Sequence, residues 1–305
     1  MLAGLAWWLR HAEANRYAIP HFNTWNAEML MGVMDAAEEA DSPVIISFGT
    51  GFIENVIFEE FAPMMRNMAV HSTVPTMVHW DHGRSFEIVH NAYVNGNTSV
   101  MRDASKLPFE ENVAETKRVV DYFHPRGVSV EAELGHVGDP GDYEEVMANY
   151  TYTDPSEAEE FVERTGCDAL AVAVGNVHGP YTSTPRIAFD VLEAVRDAVR
   201  VPVVLHGASG IPDEDVRRAV SLGVAKVNIH AELGMAAMDA IRADLTTNFV
   251  NTQLRVRAAL KQRAKEKMEL LGSAGHGSAM PRVPADTGNP VAQPTSPVAA
   301  GGSCT

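Results

Sequence analysis

The sequence contains little cysteine. Cys167 and Cys304 stand far apart, which excludes a disulfide framework. Basic charge is also short: 24 Lys and Arg face 40 Asp and Glu, for a formal net charge of −16. Phosphate neutralisation needs a basic surface, so general nucleic-acid binding is excluded. No run of about 18 apolar residues exists that would span a bilayer. The opening MLAGLAWWLRHAEANRY is apolar-periodic but carries Arg10, His11 and Glu13. It lacks the uninterrupted apolar core and small-residue cleavage site of a secretory leader. The expected location is the cytoplasm. No G-x-G-x-x-G turn follows the first strand-like run, which argues against a dinucleotide-binding open sheet.

What the 305 residues do contain is alternation. Short β-branched runs fall at 17–23, 43–48, 75–80, 98–102, 128–133, 169–174, 202–206 and 226–229. Helix-like stretches separate them, among them 28–40, 86–94, 109–123, 155–165, 187–199 and 212–222. Pro155 after Asp154, and Pro212 before Asp213 and Glu214, are helix-start signals. Eight strands alternating with helices call for parallel pairing through crossovers, and a closed barrel of this kind takes about 250 residues. The predicted fold is an α/β class (β/α)8 TIM barrel over 1–275, with additional C-terminal helices. Residues 273–305 are rich in Gly, Pro, Ala and Ser, and a disordered tail is expected over 276–305. The polar stretch 135–153 has no apolar period and reads as a lid or binding loop.

The chemistry of such a barrel sits at the C-terminal ends of its strands. Those ends carry Asn23, Ser47, Asp81 with His82, Asp103, Glu131 and Glu133, His178, His206 and Asn228. Three of them are histidines followed by glycine, at 82–83, 178–179 and 206–207. Each histidine alone is an ordinary hydrogen-bonding residue. Three converging on one mouth suit Zn²⁺, which takes three protein ligands in catalytic sites and leaves a position open. His79 shares a strand face with Asp81, where it would support the site from behind. Asp81 is a general acid/base in this reading, or else a helix cap. Glu131 and Glu133 share a face of the fifth strand, so inside a barrel they need a partner or a cation. The small-residue loop LHGASGIPD at 205–213 runs from strand to helix and offers amides and the Ser209 hydroxyl to an anion.

Seven motifs make the chain recognisable: FNTWNAE (22–28), HWDHG (79–83), SVMRDASKLPFEEN (99–112), GVSVEAELG (127–135), AVAVGNVHGPY (171–181), VVLHGASGIPDEDVRRAVSLGVAKVN (203–228) and KEKMELLGSAG (265–275). Over 17–275 the sequence resembles the class II, metal-dependent ketose-bisphosphate aldolases, most of all their tagatose-bisphosphate branch. The resemblance implies Zn²⁺ held by His82, His178 and His206, with Asp81 as the proton-transferring residue. It implies Glu133 and Asp103 beside the metal, where a second or displaced cation binds. It further implies Gly179, Gly207 and Ser209 as phosphate cradle, Asn228 and Asn23 at the substrate, Ser47 as an auxiliary contact, and a monovalent cation, Na⁺ or K⁺, near the phosphate loops. The implied reaction is reversible aldol cleavage of a ketose phosphate through a zinc-stabilised enediolate. Its products would be dihydroxyacetone phosphate, or a close analogue, and an aldehyde. A homodimer or homotetramer is the family's usual assembly. Glu144 and Glu145, on the expected lid, are candidates for a second acid/base.

The chain departs from the family's pattern at the phosphate end. Ala231 stands where a threonine is usual, with His230 before it as a replacement donor. Trp80 places a bulky ring in the HWDHG motif, beside the expected site. The Asp-Pro-Arg segment before the last helices is missing, which leaves Arg257 as the candidate for a distal phosphate. An aldolase with an altered, non-bisphosphate substrate is one alternative; a non-catalytic barrel supporting a partner aldolase is a second, and it should have lost ligands that this chain keeps. A metal-dependent hydrolase is another, but His21-Phe22-Asn23 supplies only one of the two histidines that class carries on its first strand.

Overall fold

A computed structural model describes residues 1–138, 141–179 and 181–278. Eight parallel strands close into a barrel in sequential order: β1 (Ile19–Asn23), β2 (Val44–Gly49), β3 (Thr76–Gly83), β4 (Ser99–Arg102), β5 (Ser129–Leu134), β6 (Ala169–Val172), β7 (Val203–Leu205) and β8 (Val224–Ile229), with β8 pairing back on β1. The helices are α1 (Leu5–Ala14), α2 (Ala27–Glu39), α3 (Phe58–His71), α4 (Phe86–Val94), α5 (Phe109–Phe123), α6 (Tyr143–Met147), α7 (Pro155–Thr165), α8 (Phe189–Ala198), α9 (Asp213–Ser221), α10 (Ala231–Arg242) and α11 (Phe249–Leu270). The predicted barrel and its extra C-terminal helices are both present. α1, α3 and the short α6, which lies within the stretch read as a loop, are not among the helices named above.

Local chemistry explains the helix starts. Asn26 and Ser85 accept hydrogen bonds from the amides of Met29 and Ile88 at the heads of α2 and α4. Asp154 caps α7 from just before Pro155, and Gly166 ends that helix in a left-handed turn. Each cap satisfies amides that the helix leaves unpaired.

Strand alternation creates two cores. Outward residues such as Val78, Trp80, Val130 and Val227 pack under the helices. Inward residues Ile19, Ile45, Met77, Met101, Ala169 and Val204 meet Leu5, Trp8, Leu9 and Ala12 of α1, which plugs the N-terminal end. Fully burying side chains of this size contributes about 1.5–3 kcal/mol each. Above the plug the inward positions turn polar, with His21, Ser47, His79, Ser99, Glu131 and Lys226 all buried. The polar layer supports the mouth.

Cys167 is buried with a free thiol, and Cys304 lies outside the described residues. In the segment expected to be a tail, His276 stacks on Tyr17 with centroids 4.1 Å apart, and Ser278 donates to Asp41. Residues 279–305 lie outside the described residues. Among the described residues no helix is long and apolar enough to cross a membrane.

Candidate active site

Asp81 and His82 are neighbours on a strand, so regular pleating would send them to opposite faces. The structure brings both to the mouth by a local irregularity. The β3–β4 register shifts between Trp80 and Gly83, and His82 adopts φ +50°. A left-handed conformation in a non-glycine residue costs about 1–3 kcal/mol and persists where surrounding contacts impose it. The Thr50 hydroxyl donates to the His82 carbonyl at 2.6 Å, and His82 Nδ1 donates to Asp103 Oδ2 at 2.9 Å. Next in line, Gly83 admits no side chain, since a Cβ there would lie 2.6 Å from the Met101 carbonyl oxygen. Trp80 was expected beside the site. Alternation turns it outward instead, onto Phe58 and Phe48.

Three imidazoles from β3, the loop after β6 and the end of β7 converge. His82 Nε2 lies 3.1 Å from both His178 Nε2 and His206 Nδ1. Their outer nitrogens are engaged: His82 Nδ1 by Asp103, and His206 Nε2 by Glu131 Oε1 at 2.9 Å. These bonds aim the inner lone pairs of His82 and His206 at one point. Three nitrogens this close need a proton or a cation among them, and His82 supplies the proton when no cation is there. Tetrahedral zinc, with bonds of about 2.0–2.1 Å, places its nitrogen ligands roughly 3.3 Å apart, so the donor set fits that ion. Burial, then His82 and His206, lowers the His178 pKa to about 3. Burial followed by Lys226 holds His206 well below the usual range. Both present neutral nitrogens at pH 7. Burial disfavours charge on His82, but Asp81, Asp103 and Glu133 together outweigh it and raise its pKa to about 10.

The carboxylates form a second wall. His82, Asp103 and Glu133 also bring ligand atoms within 4.8 Å of one another. Glu133 accepts from the Val137 amide through Oε1, while Oε2 is buried with no hydrogen-bond partner among the described residues, 3.9 Å from His82 Nδ1. Burial and then Asp103 raise its pKa. Asp81 is gripped from two sides, by Asn23 Nδ2 at 2.8 Å and Asn228 Nδ2 at 3.2 Å. Asn228 is itself set by His21 Nδ1, which donates to its Oδ1 at 2.7 Å. Burial opposes ionisation of Asp81, but the positive charge of His82, with that of Lys226 beyond it, prevails and holds its pKa well below the carboxylate range. An ionised carboxylate with fixed orientation and access to the mouth can act as a base.

A cavity of about 480 Å³ covers this group. Gly179, Gly207, Ser209, His230 and Ala231 line one side, and Thr50, Phe52, Arg84, Lys106 and Leu107 the other. Gly207, at φ +64°, has no room for a Cβ, which would meet the Val177 carbonyl oxygen at 2.1 Å. Backbone approach alone therefore demands glycine there. The Ser209 hydroxyl accepts from the amides of His230 and Glu232 at the head of α10, which leaves its proton for a ligand. The His230 ring packs edge-on against Trp25 and Phe52, with centroids 5.2 and 5.0 Å away.

A family model described as Fructose-bisphosphate aldolase class-II matches residues 4–276. The chain belongs to the class II fructose-bisphosphate aldolase family. It is thus an enzyme, a carbon–carbon lyase. The sequence is 60% identical to the Escherichia coli K12 protein called "Uncharacterized protein YdjI", over 90% of this chain and 99% of that one. It is 43% identical to the fructose-bisphosphate aldolase of Geobacillus stearothermophilus, over 88% and 96%. The crystal structure of the YdjI aldolase from E. coli K12 superposes with a TM-score of 0.84 at 56% identity, covering 91% of this chain and all of that one.

Several residues singled out in this aldolase's sequence are not at the mouth. Ser47 faces the barrel interior one level down and donates to the His79 carbonyl. Gly49 occupies the level opposite Asp81 on β2. Arg257 pairs with Asp35 at 2.7 and 2.9 Å where α11 packs on α2. Glu144 and Glu145 are exposed on the first turn of α6. Asp142 caps that turn, buried Tyr143 anchors it, and Glu144 pairs with Arg186 at 2.8 Å. Residues 139–140 of the expected lid lie outside the described residues. Glu131 meets its charge partner in buried Lys226, 2.8 Å away, and His79 lies 3.9 Å from its other side. Sequence reasoning missed Thr50, Phe52, Arg84 and Lys106. All four stand just past a strand end, so the rule that found the histidines would have reached them.

Proposed function

We propose that this aldolase cleaves and re-forms a ketose phosphate, giving dihydroxyacetone phosphate or a close analogue plus an aldehyde, with Zn²⁺ held by His82, His178 and His206. The observation that carries the reading is the convergence of three imidazole nitrogens beside an ionised, doubly amide-held Asp81. When bound, the ion supplies a Lewis acid that polarises a carbonyl and offsets negative charge on oxygen. Asp81 accepts the hydroxyl proton of the ketose during cleavage and returns it during condensation. Asn23 and Asn228 keep its two oxygens in place while the proton moves. Asn228 also faces the cavity, where its amide orients the reacting end of the substrate.

Gly179, Gly207 and Ser209 receive the phosphate, in the loops where barrel enzymes commonly hold one. Ala231 offers no hydroxyl, and the His230 ring in its aromatic nest shapes that side. Glu133 and Asp103 take a second or displaced position of the cation. The same reading includes Na⁺ or K⁺ near the phosphate loops, a homodimer or homotetramer, and a cytoplasmic location. The test is aldol cleavage before chelation, after it, and after Zn²⁺ is restored. Loss and recovery are expected. Full activity in rigorously metal-free protein overturns the assignment.

A further inference from the structure

The cavity has two sides, and the phosphate reading uses one of them. The other is bounded by the loops after β2, β3 and β4. Although the chain is strongly acidic, this side carries three cations: Arg84, Arg102 and Lys106. Arg102 is committed to the framework. It is buried, pairs with Glu115 at 3.2 Å and donates to the carbonyls of Gly83 and Asp103. Arg84 differs, being exposed to the cavity with no hydrogen-bonding or ion-pair partner among the described residues.

Its backbone is nonetheless well held. Gly83 before it takes the hydrogen bond from Arg102, and Ser85 after it caps α4. The guanidinium is thus an exposed, unpaired group on a fixed base, two residues beyond His82. A ketose with its 1-phosphate at Gly179, Gly207 and Ser209, and its carbonyl at the three histidines, would extend its remaining carbons away from the phosphate loops, and Arg84 lines the cavity on that other side. The mouth centre is lined with Asp81 and Asp103, with Glu133 buried behind them, so an anion is favoured beyond them, at this rim.

We infer that Arg84 is the specificity-determining contact for an anionic group at the far end of the substrate, a terminal phosphate or carboxylate on the aldehyde half. The inference rests on the ketose-phosphate reading and adds to it which acceptor half is taken. Arg257, bound to Asp35 elsewhere, cannot fill this place without leaving its partner. The planar fork of arginine suits both oxyanions.

The test compares three ketose 1-phosphates of equal length, ending in phosphate, carboxylate or hydroxyl, with wild type, Arg84→Gln and Arg84→Lys. Wild type should favour at least one anionic terminus over hydroxyl, and whichever is favoured identifies the group. Arg84→Gln should lower kcat/KM for that substrate about 10- to 100-fold, chiefly through KM, and change the hydroxyl-ended one less than about 3-fold. Arg84→Lys should restore part of the loss. Equal losses on charged and neutral termini, or no preference in wild type, overturn the inference. Calorimetric binding of the corresponding non-cleavable alditol phosphates is measured alongside. Arg84-dependent binding of the anionic terminus without turnover would sink the reaction assigned above and leave Arg84 in its role. Turnover with no Arg84 dependence would do the reverse.

Discussion

Replacing Lys226 with methionine keeps most of the side chain's bulk and deletes its charge. The ammonium lies 2.8 Å from both oxygens of Glu131, and both side chains are fully buried. At that separation the attraction is about 6 kcal/mol for an effective dielectric constant near 20. Much of it offsets the cost of taking two ions out of water, so the pair itself contributes little net stability. The single variant keeps the dehydrated carboxylate and loses its counter-ion, with only His206 Nε2 still donating to it. Breaking one side of such a pair destabilises by about 3–5 kcal/mol. Combining Lys226→Met with Glu131→Gln removes both charges and retains an oxygen acceptor for His206. That double variant should recover at least about half of the loss, since residues in direct contact are not additive. Urea unfolding of metal-stripped protein measures both numbers. Zinc competition against a chromophoric chelator adds a second readout. Glu131→Leu with Lys226→Met removes the acceptor altogether and should weaken zinc binding about 10- to 100-fold, whereas the Gln-containing double variant binds more tightly than that. A Lys226→Met loss under about 1 kcal/mol, or additive losses in the double variant, would refute the reasoning.

Asp81→Asn should lower kcat by about 10²–10⁴-fold with zinc affinity kept within a few-fold, because a proton acceptor is removed and the three nitrogens are not; a parallel fall in zinc content would point to a ligand role. Burial, then Lys226, lowers the His21 pKa to about 3, below its value of about 6.5 in the unfolded chain. As pH falls the unfolded chain takes up this proton first, so stability is lost from about pH 6.5 down towards pH 3, by up to about 1.4 kcal/mol per unit. His21→Gln should flatten the acid limb of a stability–pH curve, and an unchanged slope would clear His21 of that part. Arg257→Ala should cost no more than about 1 kcal/mol and leave kcat/KM within about 2-fold, since its pair with Asp35 is 36% and 33% exposed; a large KM effect would restore it to the substrate.

How much of the barrel could be read from the chain follows from the range of the forces involved. Strand and helix periods, the Asp154–Pro155 start and the glycines after the histidines are local, so the eight strands and the three histidines at their ends were visible in order. The Glu131–Glu133 alternation told correctly that a buried carboxylate needed a partner, but Lys226 on β8 could be named only once the barrel closed. Ser47 was taken for a mouth residue because the last level of β2 is not marked in its own sequence. It is Gly49, and pairing with Asp81 reveals it.

The sequence by itself determined the architecture, the three imidazoles and the acid beside them, because alternation and strand ends are properties of neighbouring residues. Tertiary structure alone decided the left-handed turn at His82, the outward direction of Trp80, the binding of Arg257 to Asp35 and the freedom of Arg84. Each of these depends on what a remote segment places against the residue, and no local pattern encodes that.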